Sequence, residues 1–145
     1  MSQSRLISKT VGSLDLISSS TLKLGNTTQV NIESRPAASA LGATATTVTA
    51  AQLLTGILTQ SPSSALTVTL PTAAAFIAAL PDCEVGDSFK FTFINTNGTN
   101  AATIAVNVST GTLVGSATVA LSTSAGFIVR LTSVTDAGTY TVYRA

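Results

Sequence analysis

Asp82, Glu84 and Asp87 form the only acidic cluster in the chain. Carboxylates at that spacing could ligate a hard cation, but a calcium loop draws more oxygen ligands from a tighter pattern, with Gly at a fixed offset. The cluster reads instead as a solvated turn leading into the strand of Phe89, and no metal site is expected. Cys83 stands beside two of these acids, which disfavour its thiolate, so it is a small filler rather than a nucleophile. As the only Cys it cannot close an internal disulfide. Hydroxyls are plentiful, 25 Thr and 18 Ser, yet the chain has no His, so the base of a Ser-His-Asp constellation is missing. A glycosidase pair drawn from Asp82, Glu84, Asp87 and Asp136 would have to flank a cleft, and no aromatic sugar platform accompanies them. The stretch 110–115 is Gly-rich but lacks the Lys and the following helix of a phosphate loop, and reads as a hairpin or bulge. Asn26, Asn97 and Asn107 each open an Asn-X-Ser/Thr triplet, which follows from the composition alone. No catalytic residue and no cofactor is expected.

Composition excludes several partners. Only 9% of residues are charged, against about 25% in an average soluble protein. Arg5, Lys9, Lys23, Arg35, Lys90, Arg130 and Arg144 are scattered and offset by six acids, so no nucleic-acid footprint forms. The longest apolar run, 73–80, has eight residues, whereas a membrane-spanning helix needs about 20, so no membrane partner is expected. The N-terminus has no apolar stretch of signal-peptide length. No ionisable acid or base falls in 36–81 or in 91–129. Monomeric sheet proteins guard their edge strands with charge or Pro, so edges this uncharged imply cover by other subunits.

Three regions must position whatever the chain does. In residues 1–35 the triplets Leu14-Asp15-Leu16, Leu22-Lys23-Leu24 and Val30-Asn31-Ile32 recur every eight residues, separated by turn-formers. Each triplet is a very short strand that cannot bury its apolar face alone, and stacking with the same units of other copies would give a narrow stalk. Residues 36–46 lack periodicity and large side chains and read as a linker. Residues 47–145 alternate apolar and hydroxyl side chains over 65–70, 88–94, 103–108, 118–121, 127–131 and 140–144, with Asn97-Gly98 suited to a hairpin between the second and third of these and 135–139 a turn between the last two. One short helix, 73–80, is capped by Thr72 and stopped by Pro81. Apolar all round, with Phe76, Ile77 and Leu80 its large side chains, it must be covered on nearly every side, inside the head or against a neighbouring subunit. The expected fold is all-β: a jelly-roll-like antiparallel β-sandwich head with one short helix, preceded by an extended N-terminal β arm.

Read in order, Thr49-Ala50-Ala51-Gln52-Leu53-Leu54-Thr55-Gly56, Leu66-Thr67-Val68-Thr69-Leu70-Pro71-Thr72-Ala73, Val85-Gly86-Asp87-Ser88-Phe89, Thr112-Leu113-Val114-Gly115 and Tyr140-Thr141-Val142-Tyr143-Arg144 resemble a head domain of structural proteins in tailed phages and large algal viruses. Leu22-Lys23-Leu24-Gly25-Asn26-Thr27-Thr28 is similar to the short repeats of trimeric viral stalks. The resemblance implies a homotrimeric virion protein with a β-sandwich head, found on capsid decoration (cement) proteins and on fibres. The expectation is a decoration protein on the capsid exterior that bridges subunits of the major capsid protein. Its threefold contacts would come from Leu14, Leu16, Leu22, Leu24, Val30 and Ile32 in the arm and from Phe76, Ile77 and Leu80 in the helix, with Arg5 and Lys9 touching the capsid. The alternative is a short fibre or receptor-binding tip whose loop 95–100 meets host glycans.

Overall fold

The computed structural model describes residues 36–145. The arm repeats with Leu14, Leu16, Leu22, Leu24, Val30 and Ile32, and the cations Arg5 and Lys9, lie outside the described residues. The described elements follow in the order β1 (Ser39–Ala40), β2 (Thr46–Thr47), α1 (Ala50–Leu54), β3 (Ile57–Gln60), β4 (Leu66–Thr69), α2 (Ala73–Ala79), β5 (Ser88–Asn95), β6 (Ala102–Ala105), β7 (Gly111–Val114), β8 (Thr118–Val119), β9 (Ser124–Ser133) and β10 (Thr139–Arg144). Strands hold 42% of the described residues and helices 11%, so the fold is β-rich, as the alternation predicts.

Period-two burial is clearest where the large side chains fall. Leu66 and Val68 of β4, Phe91 and Phe93 of β5, and Ala125, Phe127, Val129 and Leu131 of β9 are buried while their neighbours face outward. Inward residues of both sheets join one hydrophobic cluster, in which Phe91 stacks on Phe127 with ring centroids 5.1 Å apart. Each of these buried Phe side chains contributes about 1.5–3 kcal/mol.

The expected antiparallel topology is corrected. One sheet runs β1-β3-β5-β9-β10-β7 and the other β2-β4-β6-β8. Of their pairings five are parallel and three antiparallel. The reason is that the chain changes sheet at nearly every connection. From β1 to β6 it winds as three successive rungs, so neighbours within a sheet are one full circuit apart and run the same way. Parallel neighbours need such crossovers, whereas alternation alone carries no sign of strand direction.

The Asn97-Gly98 hairpin fails for the same reason, because β5 and β6 belong to different sheets. Neither residue takes a positive φ; the Asn97 side-chain oxygen instead accepts from the backbone N–H groups of Thr99 (2.7 Å) and Asn100 (2.8 Å). By contrast the turn between β9 and β10 is as expected, with Asp136 at φ 55° and Gly138 at φ 65°. The stretch 110–115 is a strand, β7, parallel to β10, and not a hairpin or bulge. Val108 is 95% exposed, so the expected strand 103–108 ends early.

Two helices are present among the described residues where one was expected. Thr49 and Gln52 form a reciprocal capping box that starts α1: Gln52 N donates to Thr49 Oγ1 (3.1 Å) and Thr49 N to Gln52 Oε1 (2.8 Å). Gly56, at φ 80°, ends the turn. α2 begins at the Thr72 cap as expected, but its cover is one-sided: Ala73 and Phe76 are buried, Ile77 and Leu80 are half-buried, and Ala74, Ala78 and Ala79 are exposed. Alanine methyls present so little apolar area that only one stripe has to be hidden. Residues 36–46 are likewise more than a linker. They supply β1 and β2, and the buried Gln60 side chain donates to the carbonyls of Gly42 (2.6 Å) and Thr44 (3.2 Å).

Candidate functional site

Loop 81–87 follows α2 and is tied to β9, and loop 134–138 packs on α2. Gly86 N donates to Leu131 O and Leu131 N to Asp87 O, both at 2.9 Å, which ties the first loop to β9. In the second loop a Cβ placed on Gly138 would stand 2.5 Å from Ile77 Cδ1 of α2. All four side-chain carboxylates of the described residues, Asp82, Glu84, Asp87 and Asp136, fall in these two loops; neither loop carries a Lys or Arg of its own, but the Arg130 guanidinium reaches the first at Gly86. Asp87 has a structural task, because its carboxylate accepts from Glu84 N at 2.9 Å. Beside it opens a cleft of about 240 Å³, walled by Leu80, Pro81 and Phe89 and rimmed by Asp82 and Asp87. The half-buried free thiol of Cys83 also lines it. Among the described residues no three His, Cys, Asp or Glu side chains gather closely enough to hold a metal ion.

The outward face of the six-stranded sheet differs in kind. Strand register places Val114, Tyr143, Ile128 and Lys90 side by side in one row, and Thr112, Thr141, Arg130 and Ser88 in the next. Gly126, Thr92 and Ile57 make a third row. Val114 is 49% exposed and Tyr143 38%, so the apolar row is open to solvent. Two cations and no Asp or Glu side chain project from this face, and Ala145 lies beside Gly126 on it. The remaining described cation, Arg144, is engaged elsewhere: it lies over the Phe127 ring and donates to the carbonyls of Ser116 (3.2 Å) and Thr118 (2.8 Å).

At the opposite end the polar groups are turned inward. Asn95, 1% exposed, donates through Nδ2 to the carbonyls of Asn100 (2.8 Å) and Ala120 (3.1 Å) and accepts from Asn97 N (3.0 Å). Asn100 donates to Pro62 O at 3.1 Å. The amides of Asn95, Asn97 and Asn100 therefore hold the loop together, while Thr96, Gly98 and Thr99 are exposed. Gln60, the register partner of Asn95, keeps a buried Oε1 without a protein partner. Tyr140 fills a comparable place under α2: its hydroxyl donates to Pro71 O (2.9 Å) and accepts from Asn107 N (3.1 Å), and its ring meets Phe76 edge-on at 5.1 Å. Burial pushes its phenol above the usual value, partly opposed by the Asn107 hydrogen bond.

No family model, curated protein or solved structure matches the chain. Its role is therefore argued from the surfaces above. Of the helical trio expected at a subunit interface, Phe76 is wholly buried in its own chain, packed on Phe89 and Tyr140, and has no surface left for a partner. Ile77 and Leu80 keep partial exposure. The row Val114, Tyr143 and Ile128 was not singled out from the sequence, because it assembles only once parallel β7 is set beside β10. No helix among the described residues is long and apolar enough to cross a membrane.

Proposed function

We propose that the chain is a non-catalytic structural protein of a virion, a homotrimer on the capsid exterior that bridges subunits of the major capsid protein. The observation that carries this reading is the open row of Val114, Tyr143 and Ile128 across three hydrogen-bonded strands of a weakly charged body. Among the described residues nothing lies over that row, and an assembling subunit would supply such a cover. In this reading the two sheets face each other over their shared core as a sandwich. Its parallel rungs depart from an antiparallel jelly roll. Ile77 and Leu80 remain as helical contributors to the threefold contact and Phe76 is withdrawn. A decoration protein works by multiplying contacts: displacing one capsid subunit must then break its bonds to several bridging copies.

Light scattering on the purified full chain tests the first step, with three times the chain mass expected. Adding the trimer to bare capsid shells tests the second. Saturating binding and a higher disruption temperature are expected, and a monomer, or a trimer with no affinity for shells, overturns the proposal.

A further inference from the structure

Six Asn residues occur in the chain, and only Asn97 is followed by Gly. With no Cβ, a Gly lets another group come close to its backbone nitrogen. Gly98 is exposed, and among the described residues its N–H meets no acceptor. Asn95 and Asn100 commit their Nδ2 groups to carbonyls, whereas Asn97 works through its oxygens. Its Oδ1 accepts from Thr99 N (2.7 Å), Thr99 Oγ1 (2.8 Å) and Asn100 N (2.8 Å). These bonds curl the side chain over the backbone that follows it, so Cγ is held beside the Gly98 nitrogen. The backbone oxygen of Asn97 accepts from Ser122 N (2.8 Å), with Ser122 Oγ at 3.4 Å.

These are the two oxygens on which charge develops when Gly98 N attacks Cγ. Loss of the Gly98 proton leaves negative charge on the Asn97 backbone oxygen of the same peptide, where Ser122 donates. Bond formation moves that charge to Oδ1, where three donors already point. Hydrogen bonds to an ionised oxygen are roughly twice as strong as those to a neutral one, so each donor holds the reacting state more tightly than the resting one. We infer that Asn97-Gly98 is a self-modification site, at which the folded chain converts its own asparagine to aspartate or isoaspartate. Hydroxide takes the Gly98 N–H proton, the Gly98 N–Cγ bond forms and the Cγ–Nδ2 bond breaks, with Nδ2 leaving as ammonia after taking a proton from water. Water then opens the five-membered succinimide ring. Addition at Cγ gives an ordinary aspartyl residue; addition at the backbone carbonyl gives isoaspartate, with the chain running through Cγ. Nothing is oxidised or reduced. The product places a carboxylate in 91–129, which has no ionisable side chain, so copies of different age differ in charge at an exposed loop. One chain suffices for this chemistry, which stands apart from the assembly proposed above.

Peptide mapping by mass spectrometry tests this on the full chain, aged at mildly alkaline pH either native or in guanidinium chloride. In the native chain Asn97 alone should acquire the mass of an acid, with the other five Asn as internal controls, and it should do so faster than in the denatured chain. A Cβ on Gly98 would meet nothing nearer than Ser122 Oγ at 3.7 Å, so Gly98→Ala should fold normally and slow the conversion in both states. Thr99→Val removes one donor from Oδ1. It should lower the native rate roughly tenfold, less than the about 100- to 1,000-fold of a water-free oxyanion hole, and leave the denatured rate unchanged. Thr99→Ser keeps the hydroxyl and should restore the native rate. Conversion in the denatured chain but not in the native one would show that the fold shields Asn97, and overturns the inference. Equal rates in the two states, with Thr99→Val silent, overturn it as well.

Discussion

Replacing Asn95 by Asp changes one nitrogen for one oxygen at the point where the two sheets exchange the chain. The Asn95 Nδ2 group faces the carbonyls of Asn100 and Ala120 at 2.8 and 3.1 Å, with Val119 O at 3.4 Å, in a side chain 1% exposed. An ionised Asp would aim an oxygen at those oxygens. Two hydrogen bonds at about 1 kcal/mol each are lost, and leaving their buried acceptors unpaired adds about 1–3 kcal/mol, so Asn95→Asp should cost about 3–5 kcal/mol at pH 7.5. Burial among carbonyls also raises the pKa of the new carboxyl in the folded state above its unfolded value of about 3.9. The folded state then holds the proton more tightly. The variant is therefore most stable below that unfolded value and loses stability as pH rises through the folded one. Urea unfolding of parent and variant at one protein concentration, at pH 4.5 and pH 7.5, gives both quantities. The deficit should be smaller at pH 4.5 by about 1.4 kcal/mol for each unit by which the folded pKa exceeds 4.5. Equal deficits at the two pH values, or a deficit below about 1 kcal/mol, would refute the assignment of Asn95 as a buried donor hub.

Other perturbations probe other joints. Gly138→Ala puts a side chain at φ 65° against Ile77 Cδ1 at 2.5 Å and Ser133 O at 3.0 Å; thermal unfolding should show a loss of about 1–3 kcal/mol, and Ile77→Ala in the same chain should relieve part of it. Thr49→Ala removes the cap of α1 and should cost about 1 kcal/mol in urea melts, with no change in circular dichroism from the strands. Tyr140→Phe deletes the bonds to Pro71 O and Asn107 N and should cost about 1–3 kcal/mol. Because burial raises the Tyr140 pKa, the parent loses stability as pH climbs past about 10 through the folded value. The Phe variant should show a shallower alkaline loss in melts from pH 8 to 11.

What the sequence discloses is set by how local the cause is. Phe91 and Phe93 against Lys90 and Thr92, or Thr72 ahead of three alanines, act within a turn or a pleat, and the β5 and α2 readings follow directly. The capping box at Thr49 and Gln52 was equally local and would have announced α1. Strand partners are another matter: Leu66 opposes Ala102 across 36 positions of chain, and nothing at either site marks the pairing as parallel. The open row is less legible still, since Val114, Tyr143 and Ile128 are ordinary strand residues until three strands are in register. At the acidic end the cluster at 82–87 was visible, but not the hollow beside it, which needs Leu80 and Phe89 brought together by the loop.

The side-chain inventory itself favours a surface made for partners. Ordering a Lys, Arg or Glu at an interface costs about 1.5–2 kcal/mol of rotamer freedom, whereas Ala costs nothing. The exposed residues of α2 are Ala, and those of the six-stranded sheet include Thr112, Thr132 and Thr139, stiff at their first torsion, beside Lys90 and Arg130. Docking the Ala and Thr positions immobilises little that was free, so a contact made through them retains more of its gross interaction energy, while Lys90 and Arg130 carry the ordering cost. The cost falls on the lone chain, which has few charges with which to repel its own kind. In the proposed assembly a closed set of copies would end the open-ended growth that an uncharged β7 edge otherwise permits.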